Sequence, residues 1–300
     1  MQIPEIKVYT QEELIKKVSF IKKMREWSSR RSRKNRKGKE MFFDTEAGRV
    51  RTLTYGFDNH ATQALFVDIH GGGFIFGDPE MDDPYNQQLA EEAGIKIVSI
   101  DYSLAPEHPF PAAIDECYAT VKYMQTHASE LGIDAGRIAV GGHSAGGNFT
   151  AAICIRNAMT KELNIKAAIL DYPPLDVYTD AYEKPRGKGF MARFMLPPKR
   201  SRIFDACYCT DREARRNPLI SPLYASDDEL AAFPPVLVIT AGRDSLCAEG
   251  DRFAERLRSV GTRVLHRRFD KAQHGFTLFD SPDAREGRRL ITEFLRKELT

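Results

Sequence analysis

The sequence predicts an α/β fold, with a mostly parallel central sheet, helices on both faces and a helical cap. Three observations carry this expectation. Short β-branched apolar runs alternate with longer helix-period stretches from residue 64 onward, with one interruption. Glycine-rich turns follow two of those runs, at Gly71-Gly72-Gly73 and around Ser144. The 300 residues suffice for one large core, and the 42% apolar and 29% charged composition excludes a membrane-embedded or disordered chain.

Residues 11–27 place Leu14, Ile15, Val18, Ile21 and Met24 at helical spacing, which predicts an amphipathic helix. A dense basic run follows from Arg30 to Lys39. It reads either as a contact for nucleic acid or an anionic surface, or as a solvated connection to the first strand. The second reading is preferred, because no nucleic-acid-binding pattern accompanies the run. Residues 41–57 alternate around Ala47-Gly48, predicting an antiparallel hairpin at a sheet edge.

Residues 64–69 are almost continuously apolar, as in a central strand covered on both faces. They run into His70-Gly71-Gly72-Gly73-Phe74. Three glycines behind a histidine exceed what a tight turn needs, and they present backbone N–H groups with no side chain in the way. A helix over 87–93 and a parallel strand over 96–100 come next. Pro106, Pro109 and Pro111 then impose an extended, turning path. Glu107 and His108 are adjacent there, and neighbouring side chains on an extended chain point apart, so a structural loop is preferred to an acid–base pair.

A helix over 112–131 leads through Gly132 to a short strand ending at Val140. Gly142-x-Ser144-x-Gly146 follows, ahead of a helix-period stretch over 148–159. A sharp strand-to-helix turn of this kind lifts a serine hydroxyl above a sheet. Its glycines are needed because a Cβ there would collide with the neighbouring strand and helix. After a strand over 166–170 the rhythm breaks between residues 177 and 226, which predicts a lid on the side where the serine emerges. Phe190, Phe194 and Met195, with Phe74, are candidates for lining a substrate pocket; residues 190–196 serve equally well as the lid's own core. The rhythm resumes with a strand over 235–240, Asp244 in the loop after it, a helix over 249–260, a strand over 263–269, His274, and a last helix over 283–297. The expected division is a cap helix and basic connection at 1–40, a core at 41–176 and 227–300, and a cap insertion at 177–226.

Ser144, Asp244 and His274 each follow a predicted parallel strand, so all three should meet at one edge of the sheet. A neutral serine is a weak nucleophile and needs His274 to take its proton, while Asp244 holds the imidazole in the right tautomer. The oxyanion that forms needs aligned donors. Those expected are the N–H groups of Ala145, Gly72 and Gly73, with Gly71 less favoured. His143 adjoins Ser144, but an elbow turns neighbouring side chains away from the nucleophile. His70 is expected to shape its own loop, and Asp176 is a second choice to Asp244. His60, His127 and His266 have no catalytic context. No metal site is expected.

With these residues in view, the chain resembles the hormone-sensitive-lipase-like branch of α/β-hydrolases, the bacterial family IV esterases. The matching stretches are HGGGF at 70–74, DYSLAPEHPFPA at 101–112, GGHSAGGN at 141–148, RNPLISPL at 216–223, VLVITAGRDSL at 236–246 and HGF at 274–276. The resemblance implies an α/β-hydrolase fold and a cofactor-free serine carboxylesterase that hydrolyses short acyl esters through a covalent acyl-enzyme. It also implies a cap built from the N-terminal helices and the insertion. His143 and Ser103 depart from the family, which often has Asp or Thr, and Arg, at these positions; the departures bear on pocket shape. Small, water-soluble esters such as acetylated sugars are the expected substrates. An amidase or peptidase with the same three residues is the alternative, and a non-catalytic binding protein is disfavoured because all three are present. The net charge of +2 points to no particular partner, and neither nucleic acid nor membrane is expected. A homo-oligomer is possible. A polar N-terminus and five scattered cysteines predict a reduced, cytoplasmic protein.

Overall fold

The computed structural model describes residues 3–21, 23, 25, 36–189 and 196–300. Its strands are β1 (Lys39–Thr45), β2 (Gly48–Tyr55), β3 (Gln63–Ile69), β4 (Lys96–Asp101), β5 (Ile133–His143), β6 (Ile165–Asp171), β7 (Val236–Ala241) and β8 (Val264–Phe269). Among the described residues they form one sheet in the order β1-β2-β4-β3-β5-β6-β7-β8. β2 runs antiparallel to both β1 and β4, and every other pairing is parallel. The predicted hairpin therefore lies at the sheet edge.

The helices are α1 (Gln11–Lys17), α2 (Asp83–Ala93), α3 (Ala112–Thr126), α4 (Ala145–Thr160), α5 (Pro198–Tyr208), α6 (Asp227–Ala231), α7 (Cys247–Ser259) and α8 (Pro282–Glu298). Alternation along β3 shows how the sheet is covered. Leu65, Val67 and Ile69 pack with Ile114 and Val121 of α3 and Phe149 and Ile153 of α4. Phe66, on the opposite face, packs with Leu89 of α2 and Ile291, Phe294 and Leu295 of α8. Farther along, Val236 and Val238 of β7 meet Phe253 and Leu257 of α7. Period-2 strands sandwiched between helical stripes require continuous apolar runs in the central strands, as the sequence provides.

The chain steps from β3 to β4 on one side of β3, and β5 lies on the other. Loops leaving β3 and β5 thus diverge, and this opens a crevice at the carboxyl ends of the strands. Among the described residues, no helix is long and apolar enough to cross a membrane.

Several boundaries differ from the sequence expectation. α2 begins at Asp83, four residues before the predicted start, because Pro84 fits the first turn of a helix. α3 ends at Thr126 and gives way to turns up to Gly132. α1 stops at Lys17, but after a turn at Val18 residues 19–21, 23 and 25 are helical again, so the predicted helix is interrupted; Leu14 and Val18 are buried as predicted, whereas Ile15 is 37% exposed. Within the interruption, α5 was not expected; its first turns carry Lys199, Arg200 and Arg202, and its buried Phe204, Ala206, Cys207 and Tyr208 are confined to its C-terminal end. Phe190, Phe194 and Met195 lie outside the described residues, as do residues 30–35 of the basic run. The described end of that run is bound into the fold: Arg36 pairs with Glu40 at 3.1 Å, and Asp83 accepts the N–H groups of Lys37 and Gly38.

Candidate active site

Ser144 joins β5 to α4 with φ 53° and ψ −121°, a conformation L-residues avoid. Its neighbours explain why it is held there. A Cβ on Gly142 would lie 2.3 Å from the Ile69 carbonyl oxygen, and one on Gly146 would lie 1.8 Å from the same atom. The Ser144 N–H donates to the Asp171 carbonyl at the end of β6, over 2.8 Å. Two adjoining strands therefore pin the turn from either side.

Asp244 follows β7 and His274 follows β8. The Asp244 carboxylate accepts from His274 Nδ1 at 2.6 Å, and Ser144 Oγ lies 2.9 Å from His274 Nε2. A carboxylate only accepts, so the ring proton sits on Nδ1 and Nε2 is left to accept the serine hydroxyl. The second Asp244 oxygen takes the Leu246 N–H at 3.1 Å, which fixes the carboxylate's direction. The structure thus brings the three predicted residues into one hydrogen-bonded line.

The glycine-rich loop lies beside the serine. Gly72 (φ 129°) and Gly73 (φ 58°) occupy the left-handed region, and Cβ atoms there would strike the Phe76 carbonyl and the Phe204 ring. Among the described residues, the N–H groups of Gly72 and Gly73 have no protein acceptor, and that of Ala145 opens α4, where an intrahelical partner is impossible. The Gly71 N–H is different: it donates to His143 Nε2 at 3.0 Å. That explains why Gly71 is the least suited of the three as an oxyanion donor.

His143 points away from Ser144, as expected, yet it has a function in the loop that the sequence did not disclose. Accepting at Nε2 places its proton on Nδ1, which faces Asp82 Oδ2 at 3.6 Å, too long for a hydrogen bond. Burial holds its pKa down at about 4, so the ring stays neutral and remains an acceptor. Behind it lies a cavity of about 30 Å³ that Asp68, Asp82, Tyr85 and Asp171 also line. Burial pushes Asp82 and Asp171 up to about 8 and Asp68, helped by Asp82, to about 7. A charged residue inside the apolar run of β3 was the one sequence signal of this chamber.

The rival residues are accounted for. His70 is fully buried, stacked on Tyr102 at 4.1 Å, with Nδ1 2.7 Å from the Gly71 carbonyl oxygen. Asp176 Oδ1 accepts the Tyr178 and Thr179 N–H groups and does not contact His274. Glu107 pairs with Arg25 at 3.0 Å, a structural role. Ser103 donates both its N–H and its hydroxyl to Glu116 at 2.6 Å, which fills its departure from the family pattern with a local clamp. His266 lies 3.0 Å from Asp251, and His127 stacks on Tyr123.

Ser144, Gly73 and Phe74 line a cavity of about 490 Å³. Phe74 contributes little free surface to it, being 3% exposed and stacked on Tyr208 at 4.1 Å. The remaining wall comes largely from the interruption, including Lys184, Phe204 and Asp205.

Residues 66–278 match the protein family described as alpha/beta hydrolase fold. The chain is 36% identical over 237 residues to the carboxylic ester hydrolase LipN of Mycobacterium tuberculosis, covering 77% of this chain and 61% of that relative. The match thus spans less than two thirds of LipN. An arylesterase of Saccharolobus solfataricus is 33% identical over 213 residues, covering 71% of this chain and 68% of the relative. The solved esterase of Pyrobaculum calidifontis has a TM-score of 0.84 at 30% identity, covering 93% of each chain.

Proposed function

The chain belongs to the alpha/beta-hydrolase family, and from that premise we propose that it is a serine carboxylesterase for short-chain acyl esters. The observation that carries the reading is the continuous line Asp244–His274–Ser144, ending beside two glycine N–H groups that have no acceptor among the described residues.

In this reading the ester carbonyl sits between Ser144 Oγ and the N–H groups of Gly72, Gly73 and Ala145. The hydroxyl attacks the carbonyl carbon as His274 Nε2 takes its proton. Negative charge moves to the carbonyl oxygen, where each N–H is worth on the order of a hundredfold in rate. Asp244 stabilises the imidazolium through Nδ1–H without taking the proton. Collapse of the intermediate breaks the bond to the alcohol, which leaves with the proton from Nε2. Water then attacks the acyl-enzyme by the same relay and releases the acid. Residues 41–176 and 227–300 serve as the core and 177–226, with the N-terminal segment, as the cap over the cavity.

The test is a p-nitrophenyl ester series from acetate upward, with Ser144→Ala as control. Turnover that favours short chains and vanishes in the variant supports the reading. Substantial residual turnover in Ser144→Ala would remove Ser144 as the nucleophile.

A further inference from the structure

One wall of the cavity above Ser144 carries polar groups that ester hydrolysis does not use. Lys184 Nζ donates to Glu249 Oε2 at 2.7 Å and to the Asp176 carbonyl oxygen. Glu249 Oε1 in turn accepts the Leu175 N–H at 2.8 Å, so the ammonium is fixed from beneath. An ammonium has three N–H donors, and two of them are thereby engaged. The third is open. Asp205 of α5 lines the same cavity. Among the described residues no group donates a hydrogen bond to its carboxyl, and Lys184 pairs with Glu249 instead. Burial pushes Asp205 up to about 7, against the pull of Lys184 and Arg215.

An open donor and an open acceptor facing one cavity match a group that accepts and donates through a single atom, which is what a hydroxyl does. Glu249 already neutralises Lys184, and the raised Asp205 carboxyl is partly protonated at neutral pH, so this wall suits a neutral group that both donates and accepts better than a substrate ion. Resting on the esterase reading, we propose that Asp205 and Lys184 form a hydroxyl-recognition subsite. The preferred substrates are then short acyl esters whose alcohol portion keeps a free hydroxyl, as in partial esters of polyols.

The experiment compares kcat/KM for glycerol monoacetate and propyl acetate, which differ in their hydroxyls, in wild type and Asp205→Leu. Among the described residues the Asp205 carboxyl holds no other part of the protein, and the propyl acetate rate reports whether the variant folds. Wild type should favour glycerol monoacetate. Asp205→Leu should lose roughly tenfold to hundredfold on that ester, the usual worth of a hydrogen bond to a charged group, and keep its propyl acetate rate. Asp205→Asn, which retains an acceptor oxygen, should keep part of the preference. Equal wild-type rates on the two esters, or equal losses on both in Asp205→Leu, would overturn the subsite. Turnover of p-nitrophenyl acetate separates the two ideas: if it persists while the hydroxyl preference is missing, the subsite falls and the esterase reading stands. If neither is seen, both fall.

Discussion

Replacing His143 with leucine should slow the proposed ester hydrolysis without touching any group that contacts substrate. The ring's one hydrogen bond within the loop is the 3.0 Å contact from the Gly71 N–H, and both partners are buried. Leucine leaves that N–H without an acceptor, at a cost of about 1–3 kcal/mol. The loop can recover this only by turning Gly71 elsewhere, which displaces Gly72 and Gly73 from the serine. If the whole cost appears in the transition state, kcat falls by roughly tenfold to a hundredfold, since about 1.4 kcal/mol is a factor of ten. Ground-state binding does not use these donors, so KM for p-nitrophenyl acetate should change little. Glutamine can place an acceptor oxygen near the position of Nε2, and His143→Gln should recover most of kcat. Steady-state kinetics on the three proteins, with circular dichroism to verify folding, decides the matter. A leucine variant with wild-type kcat, or a glutamine variant as slow as leucine, would refute the positioning argument.

Three further outcomes follow from the structure. Gly146→Ala places a Cβ 1.8 Å from the Ile69 carbonyl oxygen, a backbone atom that cannot swing away, so yield of folded protein and thermal midpoint should both collapse. Asp244→Asn should keep the fold and lower kcat by on the order of ten-thousandfold, because the amide no longer enforces the Nδ1–H tautomer. The buried acids make stability fall with rising pH. Asp82 and Asp171 are pushed up to about 8, so the native state holds protons the unfolded chain has released, and stability declines through the range up to about pH 8. The slope is best read above about pH 6.5, since His143, lowered to about 4, contributes the opposite slope below it. Urea unfolding should show Asp82→Asn with a shallower decline than wild type; an unchanged slope would contradict the raised value for Asp82.

What the sequence disclosed is what backbone geometry forces on residue identity. Gly142, Gly146, Gly72 and Gly73 stand where a Cβ would strike a neighbour, so glycine spacing, read together with the strand before each turn and the helix after Ser144, located the elbow and the loop. Asp244 and His274 were legible because each lies in the loop after a parallel strand, and parallel strands bring their carboxyl ends together. The function of His143 was not legible: it depends on β3 lying beside β5, with Ile69 opposite Gly142. Lys184, Glu249 and Asp205 were hidden for a related reason. Their partners are far away along the chain, and no periodicity links residue 184 to residue 249. The helix that carries Asp205 opens with Lys199, Arg200 and Arg202 and confines its buried residues to its last five positions, too short a run to show a helical period.

On the proposed reading, Ser144 is the nucleophile of an ester hydrolase. Diethyl p-nitrophenyl phosphate tests it directly, because attack by an activated serine releases p-nitrophenolate and leaves a diethylphosphoryl group on the oxygen. The protein should release one equivalent per chain, lose its esterase activity in step, and carry the added mass on the peptide that contains Ser144. Esterase activity that survives labelling, or a phosphoryl group found on another residue, would contradict the assignment.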